Sequence, residues 1–223
     1  VEGLSASGTA VLSTDDPPVE GYAARTQATV LSYGSTGDVR APRVDLAGDL
    51  SLRVSVSTPW GDAELHPAVK GAHHVTNLLA ALAGALAVEV PLDAAVAGIE
   101  AAEPPDRRMQ MHRVAGDITV IDDSFNATLD SVLGALDALA AVDAPERLAV
   151  LGPLRDGIAY LDEIHSVARE RAETLGIEIL AYRAPIYGLP VADHRRQLRE
   201  RIDALPPGSA VLIKGSRDDV IDE

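Results

Sequence analysis

The hydrophobic and polar pattern marks the first third of the chain as β-rich. Residues 50–56 alternate between apolar and polar side chains, which is typical of a half-buried strand. Further short strands are predicted over residues 9–12, 30–33 and 63–69. The sequence Pro-Trp-Gly-Asp at residues 59–62 predicts a hairpin turn between the strands at residues 50–56 and 63–69. We therefore expect residues 30–69 to be mostly β, with antiparallel pairing.

Helical patterns follow this β-rich region. Residues 77–88 are apolar all round and rich in alanine, which predicts a helix that is buried on most sides. Residues 92–102 carry a second, amphipathic pattern. The stiff polar stretch Glu-Pro-Pro-Asp at residues 103–106 then marks a domain boundary. We predict one domain over residues 1–105 and another over residues 106–223.

The rest of the chain alternates strand-like and helix-like segments, the order expected for a mostly parallel sheet flanked by helices. The predicted strands cover residues 119–122, 148–151, 177–181 and 210–214. The predicted helices cover residues 129–142, 161–175 and 193–205. The expected fold class is α/β: a first domain that is β-rich and then helical, followed by a Rossmann-like, mostly parallel α/β domain.

Composition limits the partner and the compartment. The 223 residues include 47% apolar residues and no cysteine, and their formal net charge is −15. Such an acidic balance argues against a nucleic-acid backbone as the main partner, because phosphate binding needs clustered Lys and Arg. The sequence shows no signal peptide and no membrane-length apolar run. We expect a cytoplasmic protein without membrane insertion, and the start at Val1 fits a fragment or a processed chain.

Polar clusters occur where strands of the second half end. They lie at residues 122–126, 152–156 and 214–217. In open α/β sheets the carboxyl ends of the strands meet at the edge where ligands bind, so these clusters are expected to face one cleft. The first cluster also precedes a predicted helix, whose N-terminus suits an anionic ligand. Helix capping and turn formation also explain each cluster taken alone.

Histidines and arginines near the predicted boundary are further candidates. His73 and Asn77 lie four residues apart at a predicted helix start, so they share a face and can both hydrogen-bond a planar ligand. A capping role and a satisfied core histidine are the alternative. His73-His74 lacks a partner at metal-ligand spacing, so no metal site is predicted. Arg107-Arg108 either binds a phosphate in bidentate fashion or forms a solvated basic pair.

Six motifs, in order along nearly the whole chain, resemble those of the Mur ligase family. They stand here as STDDP (13–17), GAHHVTNLLAA (71–81), RRMQ (107–110), DDSFNATLDS (122–131), LGPL (151–154) and IKGSR (213–217). The fourth and sixth motifs are the most specific. No Gly-x-x-x-x-Gly-Lys-Ser/Thr phosphate loop occurs in the chain.

The resemblance implies a three-domain enzyme with a UDP-binding domain, a central ATPase domain and a C-terminal α/β domain. Residues 1–105 then match the end of the central domain, without its phosphate loop, and residues 106–223 the C-terminal domain. The implied reaction adds D-alanyl-D-alanine to UDP-N-acetylmuramoyl tripeptide in peptidoglycan synthesis, through an acyl phosphate made from ATP. ATP and Mg²⁺ are implied for the full-length parent, which we expect to be monomeric. The chain alone is expected to be inactive.

The resemblance also assigns site residues by position. The nucleotide-binding positions are His73, Asn77, Arg108 and Asp123. The substrate-binding positions on the acceptor side are Ser124, Asn126, Lys214, Ser216 and Arg217. It assigns no catalytic residue and no metal ligand.

Several motif positions depart from the family pattern. Ser13 and His74 replace Asn, Arg107 replaces Gly, Phe125 replaces Tyr and Pro153 replaces Asp. Arg107 also removes the backbone freedom that Gly supplies. Two alternatives therefore stay open: a diverged, non-catalytic Mur-like binding or scaffolding module, and a Mur-like ligase that acts on another amine.

Overall fold

The computed structural model describes residues 1–154 and 160–215. The chain divides into two compact units, the first comprising Val1–Ala47 with Ser51–Glu103 and the second comprising Gly48–Leu50 with Pro104–Glu223. The elements of the first unit are β1 (Thr9–Ser13), α1 (Pro17–Glu20), β2 (Thr29–Tyr33), β3 (Arg40–Leu46), β4 (Leu52–Thr58), β5 (Gly61–Leu65), α2 (Val75–Ala87) and α3 (Leu92–Ala101).

The elements of the second unit alternate as the sequence pattern predicts. They are β6 (Gln110–Val114), β7 (Ile118–Asp122), α4 (Leu129–Ala141), β8 (Arg147–Leu151), α5 (Leu161–Thr174), β9 (Glu178–Tyr182), β10 (Val191–Ala192), α6 (Arg195–Asp203) and β11 (Ala210–Lys214). The edge strand β6 and the two-residue strand β10 have no counterpart among the predicted strands.

The first unit contains one parallel and one antiparallel sheet. β1 pairs in parallel with β2, whereas β3, β4 and β5 form an antiparallel meander. The antiparallel pairing expected for residues 30–69 is thus correct for β3–β5 and wrong for β2, because the segment with α1 carries the chain back to the start of β2. β3 escapes prediction because it is an edge strand that contains Pro42, which only an edge tolerates well.

Helix α2 buries one face in the core of the first unit. Its buried residues are Leu78, Leu79, Leu82, Ala83 and Leu86, and they meet β-sheet residues such as Leu52, Val54 and Leu65 in one cluster. Most of the helix is buried or half-buried, as expected, and the exposed positions on the opposite face include Ala81. Small alanine side chains allow this because they expose little apolar area.

The second unit is built on a six-stranded sheet in the order β10-β9-β8-β11-β7-β6. All neighbours pair in parallel except β6, which pairs antiparallel with β7. The expected α/β class and mostly parallel sheet are therefore confirmed. One face packs against α6 through Leu148, Val211 and Leu198, while α4 contacts β8 and β11.

Candidate active site

Three neighbouring strands of the second unit bring polar loops to one edge of the sheet. β8, β11 and β7 are adjacent in the sheet, and each is followed by a predicted polar cluster. The Asp123 N–H donates to the Ile213 carbonyl, and the Gly152 N–H donates to the Lys214 carbonyl, both at 2.9 Å. The expectation that these strand ends share an edge is confirmed for the described residues.

Lys214 and Asp123 form a buried ion pair at this edge. Lys214 Nζ lies 2.5 Å from Asp123 Oδ2 and donates a second hydrogen bond of 2.9 Å to the Asn126 carbonyl. The side chains of Lys214 and Asp123 are 1% and 5% exposed. Burial lowers the pKa of Lys214, and the Asp123 carboxylate opposes that shift. The Lys214 ammonium group, at the end of β11, thus binds two residues of the loop that follows β7.

Ser124 contributes a buried hydroxyl to the same loop. The residue is 0% exposed, and its Oγ has no hydrogen-bond partner within residues 1–154 and 160–215. Its N–H donates to Asp122 Oδ1 at 3.0 Å, which folds the loop back on itself. An unpaired buried polar group costs about 1–3 kcal/mol, and such groups often mark a bound water or ligand.

The loop after β7 leads directly into helix α4. Thr128 caps that helix, and its side chain and that of Ser131 form a reciprocal capping box. The Thr128 N–H donates to Ser131 Oγ at 3.0 Å. The loop is therefore fixed at both ends, by the ion pair at Asp123 and by the cap at Thr128.

Arg108 lies against this loop. Its guanidinium carbon is 4.1 Å from the centre of the Phe125 ring, an attractive cation–π geometry. The Phe125 N–H donates to the Arg107 carbonyl at 3.3 Å. The positive charge of Arg108 also contributes to lowering the pKa of Lys214. The fold thus brings together three segments that are distant in sequence, represented by Arg108, Asp123-Ser124 and Lys214.

The loop after β8 is held by two buried aromatic side chains. His165 Nε2 accepts a 3.0 Å hydrogen bond from the Leu154 N–H, and the Tyr187 hydroxyl donates at 3.3 Å to the Gly152 carbonyl. Burial raises the pKa of Tyr187. The motif analysis missed both residues. The available signal is that His165 lies three and seven residues before Ala168 and Ala172, the other buried positions of α5.

In the first unit, polar segments follow the parallel strands β1 and β2. Asp15 Oδ1 accepts a 2.9 Å hydrogen bond from the Ser35 N–H, and the Ser35 hydroxyl also donates to it. These hydrogen bonds lower the pKa of Asp15. A groove of about 180 Å³ beside them is lined by Leu12, Ser13, Thr14, Val19, Ala23, Val30, Ser32 and Thr36.

His73 and Asn77 belong to adjoining turns of the first unit. His73 lies in the 3-10 turn Ala72–His74, and Asn77 lies in the first turn of α2 with an exposed side chain. The rings of His73 and His74 are 4.2 Å apart between centroids. Binding of a planar ligand by His73 and Asn77 stays a prediction.

The described parts of the chain contain neither a metal-binding cluster nor a helix of membrane-spanning length. Within residues 1–154 and 160–215, no three His, Cys, Asp or Glu side chains cluster as a metal ion requires. Among the helices in those same ranges, none has the length and apolar character needed to cross a bilayer.

Comparisons with known proteins support the motif-based resemblance. No protein-family model matches the chain. A Mycobacterium bovis protein named UDP-N-acetylmuramoyl-tripeptide–D-alanyl-D-alanine ligase is 38% identical over 174 residues, which cover 73% of this chain and 34% of that protein. The crystal structure of MurF from Acinetobacter baumannii matches 95% of this chain and 49% of its own with a TM-score of 0.84 at 27% identity. This chain belongs to the Mur ligase family.

The likeness extends to more distant Mur ligases and is partial in length. MurF from Thermotoga maritima matches 96% of this chain with a TM-score of 0.82 at 18% identity, which shows the fold alone. The chain spans about a third of the curated relatives that it matches, and about half of the solved MurF chains.

The structure shows what two departures from the Mur ligase motifs do locally. Arg107 stands where the motif has Gly, and its φ is +60°, a left-handed conformation that favours Gly. Phe125, which replaces Tyr, keeps an aromatic ring beneath Arg108. The backbone at Arg107 is therefore strained, while Phe125 still supplies an aromatic ring to Arg108.

Two of the predicted acceptor-side residues of the Mur ligase motif, Ser216 and Arg217, lie outside the described residues. Asp156 of the predicted cluster after β8 does so as well. Lys214 and Asn126 are described. Lys214 Nζ pairs with Asp123 and also donates to the Asn126 backbone carbonyl.

Proposed function

We propose that this chain is part of an ATP-dependent ligase that joins D-alanyl-D-alanine to UDP-N-acetylmuramoyl tripeptide in peptidoglycan synthesis. In this proposal the first unit corresponds to the end of the central ATPase domain and the second to the C-terminal domain. The parent protein would be a cytoplasmic monomer. Mycobacterium bovis and Mycobacterium tuberculosis relatives that carry the name of this activity cover 73% of the chain.

The observation that carries the proposal is the meeting of the motif residues at one sheet edge. Arg108, Lys214 and the pair Asp123-Ser124 come from three separate motifs, and they meet around the loop between β7 and α4. This edge is where open α/β sheets bind ligands. The guanidinium of Arg108, the N-terminus of α4 and the buried Ser124 hydroxyl, which has no partner among the described residues, together suit an anionic substrate.

The residues present fit a nucleotide phosphate but not a resident metal site. Arg108, which stacks on Phe125, supplies a cation. Ser124 supplies a hydroxyl that has no hydrogen-bond partner among the described residues. The solved Thermotoga maritima MurF is a complex with ADP. Within the described ranges no three metal-ligating side chains cluster, so none of these residues is assigned as a Mg²⁺ ligand.

The proposed reaction has two balanced steps. A tripeptide carboxylate oxygen attacks the γ-phosphorus of ATP, so that a phosphoanhydride bond breaks, ADP leaves and an acyl phosphate forms. The amine of D-alanyl-D-alanine then attacks the acyl carbon, the bond to phosphate breaks, and the nitrogen passes a proton to the released phosphate or to water. Arg108 would stabilise phosphate charge, while Lys214 and Asp123 would hold the loop that carries Ser124 and Asn126.

A diverged binding module is the second candidate, and one observation favours it. The motif glycine is replaced by Arg107, which adopts a positive φ at an energetic cost. The loss of this glycine is one of five departures from the family motifs, and such departures are expected where an active site has decayed. This module would bind a partner without hydrolysing ATP.

The deciding experiment measures ADP release by the full-length protein that contains this chain. We expect release only when ATP, UDP-N-acetylmuramoyl tripeptide and D-alanyl-D-alanine are all present, with a peptide product of matching mass. Release with the tripeptide substrate and a different amine would instead identify a ligase of changed specificity. If no combination of tripeptide substrate and amine led to ADP release, the ligase proposal would be refuted and the binding module favoured.

Arg108 provides matched variants for this assay. Arg108→Lys keeps the positive charge but loses the flat guanidinium that stacks on Phe125. We expect Arg108→Ala to lower kcat/KM for ATP by about a hundredfold and Arg108→Lys by an intermediate factor, as for a charged hydrogen-bonding group. Equal activity of both variants and the wild type would contradict the role of Arg108.

A further inference from the structure

A continuous hydrogen-bonded chain links α5 to the centre of the sheet edge. The Leu154 N–H is bound by His165, and the Gly152 carbonyl by the Tyr187 hydroxyl. The Gly152 N–H donates in turn to the Lys214 carbonyl. The side chain of Lys214 then reaches Asp123 and the Asn126 carbonyl. The loop of residues 152–154 is thus tied on one side to the ion pair and on the other to His165 and Tyr187.

The geometry fixes the tautomer of His165. Because Nε2 accepts the Leu154 N–H at 3.0 Å, the ring proton must lie on Nδ1. Nδ1 is 2.6 Å from the Leu161 carbonyl, to which it donates. Both ring nitrogens are therefore used, and the imidazole is neutral. Its ring also meets Tyr187 edge to face, with centroids 4.7 Å apart and an interplanar angle of 73°.

His165 pairs a buried backbone N–H in addition to packing in the core. An apolar residue at position 165 would fill the same space, but it would leave the buried Leu154 N–H without its partner. His165 is 1% exposed and Leu154 2%, so water cannot readily replace that partner. The imidazole thus selects one backbone conformation of the loop that follows β8.

We infer that His165 is a positioning residue of the proposed ligase: through its Nε2 bond to Leu154, and with Tyr187, it holds the loop of residues 152–154 for binding of the incoming amine. The inference rests on the proposed function, because it needs an amine substrate at this sheet edge. His165 itself touches no reacting atom, since it is buried beneath the loop.

Two isosteric substitutions of His165 separate its two hydrogen bonds. The amide of Gln ends near the position of Nε2, so His165→Gln can keep an acceptor for the Leu154 N–H. The amide of Asn ends near Nδ1, so His165→Asn keeps a donor for Leu161 and loses that acceptor. Tyr187→Phe removes only the hydroxyl that donates to Gly152. These variants are made in the full-length protein.

The readouts are the hydrogen exchange rate of the Leu154 N–H and the separate KM values for amine and ATP. We expect His165→Asn to speed that exchange and to raise the amine KM by about tenfold, equivalent to ~1.4 kcal/mol. The ATP KM should stay within about twofold, because Arg108 makes no contact with His165 in the described network. His165→Gln should restore both values, and Tyr187→Phe should act in the same direction as His165→Asn.

Three results would overturn the inference. Unchanged Leu154 exchange in His165→Asn would show that the imidazole does not hold the loop. Faster exchange with an unchanged amine KM would show that the loop does not position the amine. Equal rises in both KM values, without rescue by Gln, would show a general structural role. If the wild type released no ADP at all, the proposed function would fail, and exchange would still show whether His165 holds the loop.

Discussion

Breaking the ion pair between Lys214 and Asp123 should strongly destabilise the second unit. In Asp123→Asn the shape is kept, but the ammonium group of Lys214 remains 99% buried without its counter-charge, since its side chain is 1% exposed. Removing one partner of a buried pair costs about 3–5 kcal/mol. The Asn126 carbonyl still accepts from Nζ at 2.9 Å, so we expect the lower end, ~3 kcal/mol.

The destabilisation caused by Asp123→Asn should become smaller as the pH rises. Burial lowers the pKa of Lys214 below its ordinary value of 10.5, and Asp123 opposes this. Between the lowered pKa and the ordinary one, the unfolded chain binds more protons than the folded chain, so the contribution of Lys214 to stability rises with pH. Without Asp123 the pKa of Lys214 falls further, so the pH range over which its contribution rises becomes wider. The destabilisation should therefore be smaller at about pH 10 than at neutral pH.

The assay must report on the second unit by itself. The one tryptophan of the chain, Trp60, lies in the first unit, so its fluorescence follows the first unit only. Hydrogen exchange of the amides in β7, β8 and β11 reports opening of the second unit. A loss of ~3 kcal/mol should speed the exchange of the slowest of these amides by more than about a hundredfold.

Two further variants test the reasoning behind this magnitude. The double variant Asp123→Leu with Lys214→Met removes both charges and leaves only the Asn126 carbonyl unpaired, at a cost of about 1–3 kcal/mol. Glu200→Gln breaks an ion pair with Arg196 whose side chains are 67% and 85% exposed, and should change stability by less than about 0.5 kcal/mol. If Asp123→Asn cost no more than Glu200→Gln, the argument from burial would be refuted.

Two other predictions concern the backbone at Arg107 and the titration of Asp15. Because Arg107 has a φ of +60°, Arg107→Gly should be more stable than Arg107→Ala by about 1 kcal/mol, as measured by hydrogen exchange of the second unit; equal stability would contradict the strain. Ser35 hydrogen bonds lower the pKa of Asp15 below its ordinary 3.8, so their contribution is present above that value and lost as the pH falls through the lowered pKa. Ser35→Ala should raise the pKa of Asp15 in a carbon-13 NMR titration and reduce the acid resistance of the first unit, followed by Trp60 fluorescence; an unchanged pKa would refute this cause.

Most of the fold could be predicted from sequence because its elements carry local periodic signals. The strands and helices of the second unit alternate in the predicted order, and the mostly parallel sheet follows from that alternation. The elements that escaped prediction are short or lie at edges. β10 has two residues, and β3 contains Pro42. Such segments gain their pairing from neighbouring strands, and their own sequences carry little trace of it.

The candidate site could be predicted only in part. Motif positions identified Asp123, Ser124 and Lys214 as site residues, but no local pattern shows that Lys214 and Asp123 share a buried ion pair across 91 positions of sequence. His165 escaped the motif analysis altogether, because a single histidine in an amphipathic helix resembles any other core position. Its partner, the Leu154 N–H, is a backbone group that has no signature in the sequence.

The sequence by itself determined the strand and helix order, the acidic and cysteine-free character, and the motifs that place the chain among the Mur ligases. These properties depend on residue type and on spacing along the chain. Only the tertiary structure decided which motif residues touch, which charges are buried together, and which loops are held by buried side chains. The physical reason is that burial and pairing free energies arise between residues distant in sequence, once the sheet has brought their strand ends together.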